Sequence, residues 1–242
     1  DYNDTLIWNS NEGISVKPFY HADEFDRLPE ATNTKATQWK ICQSIFVFDV
    51  EKSNLKALDA IERGVESIKF IIPNDVVSIE RLLQNINLTS ILLYFELQFL
   101  NSDFVKKLST FISDSKTVIQ TDIIGNLAQN GNWFSNLKDD HKHFESIVKN
   151  TNNFSINSSL YQNSGANIVQ QLAYSLAHAN EYLNHFDTIL SNDAKQFLKV
   201  IFQVSIGTNY FFEIAKLRAL RILWNTLSSE YNYNSNCNII AF

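Results

Sequence analysis

Residues 200–224 read VIFQVSIGTNYFFEIAKLRALRILW. The run 200–207 is apolar, rich in β-branched residues and of strand length. The remainder, 208–224, has a helical period: Phe212, Ala215, Ala219 and Leu223 recur at steps of three and four, which predicts one apolar stripe with Lys216, Arg218 and Asn225 largely off it. Asn209 is a good N-cap, Glu213 falls in the positive first turns, and Arg218 and Arg221 lie nearer the negative end. The stretch is one strand followed by one helix lying on a sheet. Phe212 is expected to be a buried ring and Trp224 to close the far end of the helix.

The same unit repeats along the chain. Strand-length apolar runs occur at WKICQSIFVFD (39–49), SIKFIIP (67–73), TSILLYFEL (89–97), TVIQTDII (117–124), FSINSSLY (154–161), VIFQVSIG (200–207) and NCNIIAF (236–242). Helical patterns lie between them at 51–64, 77–86, 102–112, 140–150, 166–186 and 207–224. In the fifth of these, Val169, Leu172, Leu176 and Leu183 line one face. Strand then helix, repeated this often, predicts an α/β fold with a parallel sheet, and seven strands fit a (β/α) TIM-type barrel one strand short of eight. Such a barrel leaves two parallel edges unpaired unless another segment covers them. Residues 1–38 hold no long periodic segment but do hold Pro18 and Pro29, so they read as an extended N-terminal arm, with the barrel domain in 39–242.

Composition bounds what the chain can do. At 242 residues it can bury a full core as one domain. Lys and Arg number 20 against 26 Asp and Glu, a net charge of -6 without any block of like charge, which argues against nucleic acid and acidic membranes as partners. Cys42 and Cys237 fit neither a disulfide framework nor a zinc pattern, and both read as reduced thiols on strands. No apolar window is long enough to span a membrane, and the start DYNDTLIWNS lacks the regions of a signal peptide, so a soluble cytoplasmic protein is expected. There are 6 glycines where average usage of ~7 % would give about 17. Loops that wrap phosphates need glycine, so the scarcity argues against an anion cradle. The 18 Phe point instead to a large aromatic core or contact surface.

Three segments carry a resemblance. TLIWNSNEGISVKPFYHADEF (5–25), through Asn11, Glu12, Gly13, Ile14, Lys17, Pro18, Tyr20 and Asp23, resembles the opening of methylmalonyl-CoA mutase chains. GANIVQQLAYSLAHANEYL (165–183) resembles a helix of that family, and GTNYFFEIAKLRALRILW (207–224) resembles another, more specific run. The motifs span 6–224, with 39–115 matching only in its strand and helix rhythm. The resemblance implies a cobalamin-dependent isomerase that interconverts methylmalonyl-CoA and succinyl-CoA by radical chemistry, with the CoA chain threaded along a barrel that packs on a separate cobalamin domain. Some bacterial members are heterodimers of a catalytic large chain and a related small one.

The resemblance also implies which residues should carry the chemistry, and here they are missing. The catalytic chains have a tyrosine cassette after the arm, where this sequence reads LPEATNTKATQWKICQ (28–43). They have a strand-end histidine that bonds the thioester carbonyl; aligned on Gly165, SSLYQNSG (158–165) places Leu160 there, keeps Gln162 and puts Asn163 where a glutamate stands. Leucine can neither donate a hydrogen bond nor move a proton. QTDIIGNLAQNGNW (120–133) keeps Gln120 and Asp122 but has Asn130 in place of an arginine that pairs with the substrate carboxylate, which removes a bidentate, charge-assisted contact. The GNLAQNG segment reads as a turn of small-subunit type. The Asp-x-His-x-x-Gly signature of the cobalamin domain does not occur in the sequence. These positions imply a small, non-catalytic subunit with no catalytic, cofactor or metal site of its own, partnered by a large catalytic subunit that works with adenosylcobalamin. The rivals are a divergent active acyl-CoA mutase and a free-standing binding barrel.

Other constellations read as structural. His141 and His143 beside Asp139 and Asp140 could ligate a metal, but acids and histidines at a helix start more often form a solvated face. His178 and His185, two turns apart, could face together. Lys216, Arg218 and Arg221 could meet phosphates, although salt bridges on a helix suit a chain of this charge better. Asp122 could be a general base, or a strand-end acid capping a neighbouring loop.

Overall fold

The computed structural model describes residues 5–24, 26, 38–112, 117–234 and 236–242. The first described residues hold a short antiparallel pair, β1 (Trp8–Asn9) and β2 (Ser15–Val16), followed by a 3-10 turn at Ala22–Glu24. Pro29 and most of the segment aligned with the tyrosine cassette, 28–37, lie outside the described residues. The hairpin docks onto later parts of the chain. The Trp8 ring stacks on Phe212 with centroids 5.5 Å apart, and Asn167 donates its side-chain amide to the Asn11 carbonyl at 3.0 Å.

All seven expected strand runs contain a strand. β3 (Cys42–Phe46), β4 (Ser67–Ile72), β5 (Leu92–Leu97) and β6 (Thr117–Gln120) form one parallel sheet in sequence order, and β7 (Asn153–Asn157), β8 (Lys199–Val204) and β9 (Cys237–Ala241) form a second. The Ser155 amide donates to the Thr121 carbonyl at 3.2 Å, joining the end of β6 to β7. Side chains also cross between the sheets: Val118, Ile201 and Ile240 pack together with Tyr94. Strands covered on both faces need near-continuous apolar runs, and β4, SIKFII, is buried along almost its whole length. The sheet does not close among the described residues, where β3 pairs with β4 and β9 with β8, each on one side.

Helices cover the outer faces: α1 (Val50–Glu62), α2 (Ile79–Leu82), α3 (Ser102–Phe111), α4 (Ile123–Asn130), α5 (Leu137–Thr151), α6 (Ser159–Asn163), α7 (Ile168–Asp187), α8 (Asn192–Phe197) and α9 (Tyr210–Glu230). One apolar cluster lies between β3–β6 and α1–α3, around Phe70, Phe95 and Leu108. A second lies between β7–β9 and α5, α7 and α9, built on Phe144, Phe154, Tyr182, Phe186, Phe202 and Trp224. None of the helices is long and apolar enough to cross a membrane, among the described residues.

Several local expectations are corrected. The strand expected over 117–124 stops at Gln120, because Asp122 caps α4; the GNLAQNG segment is therefore helix, ended by Gly131 in the left-handed region at φ 74°. The helix expected over 77–86 is only four residues long, since Asn85 takes a left-handed φ of 64°. The end of the fifth strand run is α6, and α8 was not foreseen.

The faces of the two long helices also differ from expectation. In α9 the buried residues are Glu213, Lys216, Leu220, Trp224 and Ser228, while Ala215 and Leu223 are exposed and Phe212 is half-buried. Trp224 sits inside the helix against Phe202, with ring centroids 5.3 Å apart, and does not close its end. In α7 the buried face runs through Gln171, Ser175, His178, Tyr182 and Phe186, and Val169 is exposed. The expected caps hold: Asn209 accepts the Phe212 amide hydrogen at 3.3 Å. Cys42 and Cys237 are free thiols on the two edge strands. Burial raises both thiols, Cys237 to about 12, so neither is a ready nucleophile near neutral pH.

Candidate functional site

Strand pleat decides the first feature. Lys69 follows a buried isoleucine on β4, and the alternation points its stem between the two sheets. Its side chain is 3 % exposed, and its ammonium lies 2.5 Å from Glu96 Oε2 on β5, 2.9 Å from Gln203 Oε1 on β8 and 4.4 Å from the centre of the Phe242 ring. A lone buried ammonium would be costly, and the carboxylate, the amide oxygen and the ring face together offset that cost. The ion pair lies within the first sheet, and the Lys69–Gln203 hydrogen bond crosses the interior to the second.

A cavity of about 330 Å³ opens at the C-terminal ends of β5–β8. It is lined by Glu96, Gln98, Gln120, Asn130, Phe134 and Gln203 and also touches Asp122, Ser155 and Asn157. Of the positions picked out by sequence, Gln120, Asp122 and Asn130 meet at this cavity. Leu160, Gln162 and Asn163 do not; they lie on α6, Leu160 half-buried and Asn163 exposed.

Asp122 is fully engaged. It accepts the Gly125 amide hydrogen at 2.7 Å, the Asn157 amide hydrogen at 2.7 Å and the Tyr182 hydroxyl at 2.6 Å, and it pairs with His178 Nε2 at 2.9 Å. The approach to the α4 start is close enough that a Cβ on Gly125 would fall 2.3 Å from the carboxylate. Burial alone would raise the Asp122 carboxyl, but His178, the Tyr182 hydroxyl and the Asn157 N–H outweigh it and hold the group below the usual carboxylate range. His178 Nδ1 faces the Tyr161 hydroxyl at 3.2 Å, and burial together with the Asp122 charge pushes that phenol up to about 12. Every member of this relay holds another, so Asp122 acts as a cap and tie between β6, β7 and α7 and does not present a free base to the cavity.

The sign of the resulting pH dependence is definite. Because the folded-state pKa of Asp122 lies below its unfolded value, its contribution is fully present above the unfolded pKa, about 3.9, and is lost as pH falls through the folded value. Thermal melts should therefore show Asp122→Asn less stable than the parent at pH 7, with the gap shrinking below about pH 4. A gap that persists unchanged at the acid end would remove the charge argument.

Gln162 belongs to a second constellation. It accepts from Lys216 Nζ at 3.1 Å, and the same ammonium donates to Gln171 Oε1 at 3.0 Å and the Ser205 carbonyl at 2.7 Å, with Glu213 Oε2 at 2.6 Å. Lys216 is thus the centre of a cage joining α6, α7, the end of β8 and α9. Arg218 is exposed, and Arg221 bonds the Leu217 carbonyl of its own helix.

His143 meets the Ser102 hydroxyl at 3.1 Å. His141 lies against His185, ring centroids 4.5 Å apart, while His185 Nε2 is 3.2 Å from Glu145 Oε1. His185 therefore faces His141 and not His178. Asn136 caps α5 by accepting the Asp139 amide hydrogen, the Asp139 carboxylate accepts from the Asn136 side-chain amide, and Asp140 accepts the amide hydrogens of Phe134 and Ser135. Among the described residues no group of three or more ligand side chains could hold a metal ion. The cavity at the strand ends is of small-ligand size, too small to enclose a cobalamin, and has no histidine in its lining.

Sequence reasoning missed Lys69, Glu96 and Gln203, and it missed Tyr161 and Tyr182. The available signal was the lysine inside the otherwise apolar run SIKFIIP, since a parallel strand covered on both faces has no solvated side for it.

Comparison with known proteins places this geometry in a lineage. Residues 83–241, more than half of the chain, match the family described as Methylmalonyl-CoA mutase. The chain is 29 % identical to the methylmalonyl-CoA mutase small subunit of Porphyromonas gingivalis, over 93 % of this chain and 41 % of that protein. It is 27 % identical to a methylmalonyl-CoA mutase of Cereibacter sphaeroides, over 94 % of this chain and 40 % of that one. Similarity to the large subunit of Propionibacterium freudenreichii subsp. shermanii reaches 34 %, but over 33 % of this chain and 11 % of that protein. The chain spans about two fifths of the length of the first two relatives. It belongs to the methylmalonyl-CoA mutase family.

Proposed function

We propose that this chain is the small, non-catalytic subunit of a cobalamin-dependent methylmalonyl-CoA mutase, stabilising a catalytic large subunit in a cytoplasmic heterodimer. On this reading residues 39–242 are an open (β/α) barrel of seven strands and 1–38 an arm, and adenosylcobalamin and the acyl-CoA are handled by the partner. The observation that carries the reading is the state of the site. An aliphatic Leu160 and a neutral Asn130 occupy the positions where the resemblance expects a histidine and an arginine, and the Lys69, Glu96, Gln203 and Phe242 cluster crosses the interior that a threaded CoA arm would use. Similarity along nearly the whole chain to a protein named as a small subunit supports it further.

Co-expression with a mutase large subunit that carries the tyrosine and histidine motifs tests the proposal. Co-purification at one-to-one stoichiometry is expected, and a chain that elutes alone under the same conditions would overturn it. Leu160→His is expected to leave the single chain without mutase turnover, because the tyrosine and arginine are still missing; turnover on addition of adenosylcobalamin would mark a damaged enzyme.

A further inference from the structure

His141 on α5 and His185 on α7 meet ring to ring, with centroids 4.5 Å apart, and both line a shallow surface cleft separate from the cavity at the strand ends. His141 Nδ1 is buried and has no hydrogen-bond partner. A neutral imidazole tolerates this, because one of its nitrogens is a bare acceptor, but an imidazolium would bury an N–H with nothing to receive it. The charges around the pair do not remove that cost. Lys138 and Lys142 line the same cleft, and Glu145 lies 3.2 Å from His185 Nε2 and 3.9 Å from Lys149 Nζ. On α5, Asp140 is engaged by the Phe134 and Ser135 amides, and His143 meets Ser102 of α3. On α7, Asp187 pairs with Lys195, and Glu181, one turn before His185, is exposed. The α4 helix and residues 131–136 bring no titratable group. Burial and the neighbouring His185 hold His141 below the usual 6.5, against the pull of Glu145 and Asp140.

The same contact adjoins the rim of the cavity at the strand ends. Asp140 accepts the Phe134 amide hydrogen at 2.8 Å and that of Ser135 at 3.0 Å, the Trp133 ring lies 5.9 Å from that of His141, and Phe134 lines the cavity. We propose that the His141–His185 contact is a proton-sensitive latch: with both imidazoles neutral it holds α5 on α7 and the 133–135 rim in place, and proton uptake by His141 loosens both. Two adjacent imidazolium rings repel, so a proton on either ring opposes a proton on the other. Because the folded-state pKa of His141 lies below its unfolded value of about 6.5, the fold is at full stability above that pH and loses stability as pH falls through it toward the folded value. All the groups involved belong to this chain, so the latch is read without a partner.

Imidazole NMR titration of the full chain tests the latch, with amide hydrogen exchange at Phe134 and Ser135 as the report from the rim. His141 is expected to titrate below 6.5 and to move up in His185→Gln, which removes the neighbouring ring and its charge. Protection of the two amides, corrected for the intrinsic pH dependence of exchange, should fall several-fold between about pH 7.5 and about pH 5.5 in the parent and change far less in His141→Gln. His141→Gln should also lose less in Tm over that interval than the parent does, and because each protein is compared with itself, a fold weakened by the substitution does not hide the effect. His141 titrating at or above 6.5, a midpoint unmoved in His185→Gln, or rim protection and melting that respond to pH alike in the parent and His141→Gln would overturn the proposal.

Discussion

Replacing Lys216 by methionine is expected to destabilise the protein by about 3–5 kcal/mol, among the largest effects of any single change in the chain. The methionine keeps most of the stem volume, so the loss comes from what is left behind. Glu213, whose side chain is 8 % exposed, becomes an unpaired buried carboxylate, and the Gln162 and Gln171 oxygens and the Ser205 carbonyl lose their shared donor. The double variant Lys216→Met, Glu213→Leu should recover much of the loss, because a buried pair replaced by apolar groups of similar size is often neutral. Urea denaturation of the parent, single and double variants measures this. A single variant within ~1 kcal/mol of the parent would mean that the cage contributes no more than a surface pair.

Trp224→Ala is expected to cost a similar ~3–5 kcal/mol by a different route, the loss of an aromatic side chain and the cavity left in its place. The indole is fully buried and meets Phe202 edge to face. Phe212→Ala provides the contrast. Its ring is half-buried and stacks on the exposed Trp8 of the arm, so the variant should melt within ~1.5 kcal/mol of the parent, about the most an aromatic pair adds beyond its area, and should mainly loosen the hairpin at 8–16. Protease susceptibility of the arm together with global melting separates the two effects. A reversed order, with Phe212→Ala the more damaging, would put the core on the wrong face of α9.

That face is where the sequence was hardest to read. The strand runs were legible because parallel strands buried on both sides must be continuously apolar, and SIKFIIP and VIFQVSIG could hardly be anything else. The rotation of α7 and α9 was not, because apolar periodicity assumes that polar residues face water. Here Glu213, Lys216, Gln171, Ser175 and His178 are polar and inside, each satisfied by another segment or another turn of the helix. Nothing local in GTNYFFEIAKLRALRILW reveals that Lys216 will meet a glutamine 54 residues away. The same limit applied to Asp122, whose capping role was foreseen but whose ties to His178 and Tyr182 required the fold. It applied in reverse to α4, where Asp122 three residues before Gly125 was a readable helix start, masked by the β-branched Ile123 and Ile124.

If the chain supports a mutase without performing its chemistry, the two roles come apart in a single assay. Conversion of methylmalonyl-CoA to succinyl-CoA is followed with saturating adenosylcobalamin on the purified chain, on the large subunit alone and on the two combined. No turnover is expected from this chain, and the combined sample should turn over faster, or for longer, than the large subunit by itself. Turnover by this chain in isolation, or a large subunit indifferent to its presence, would rule out the supporting role.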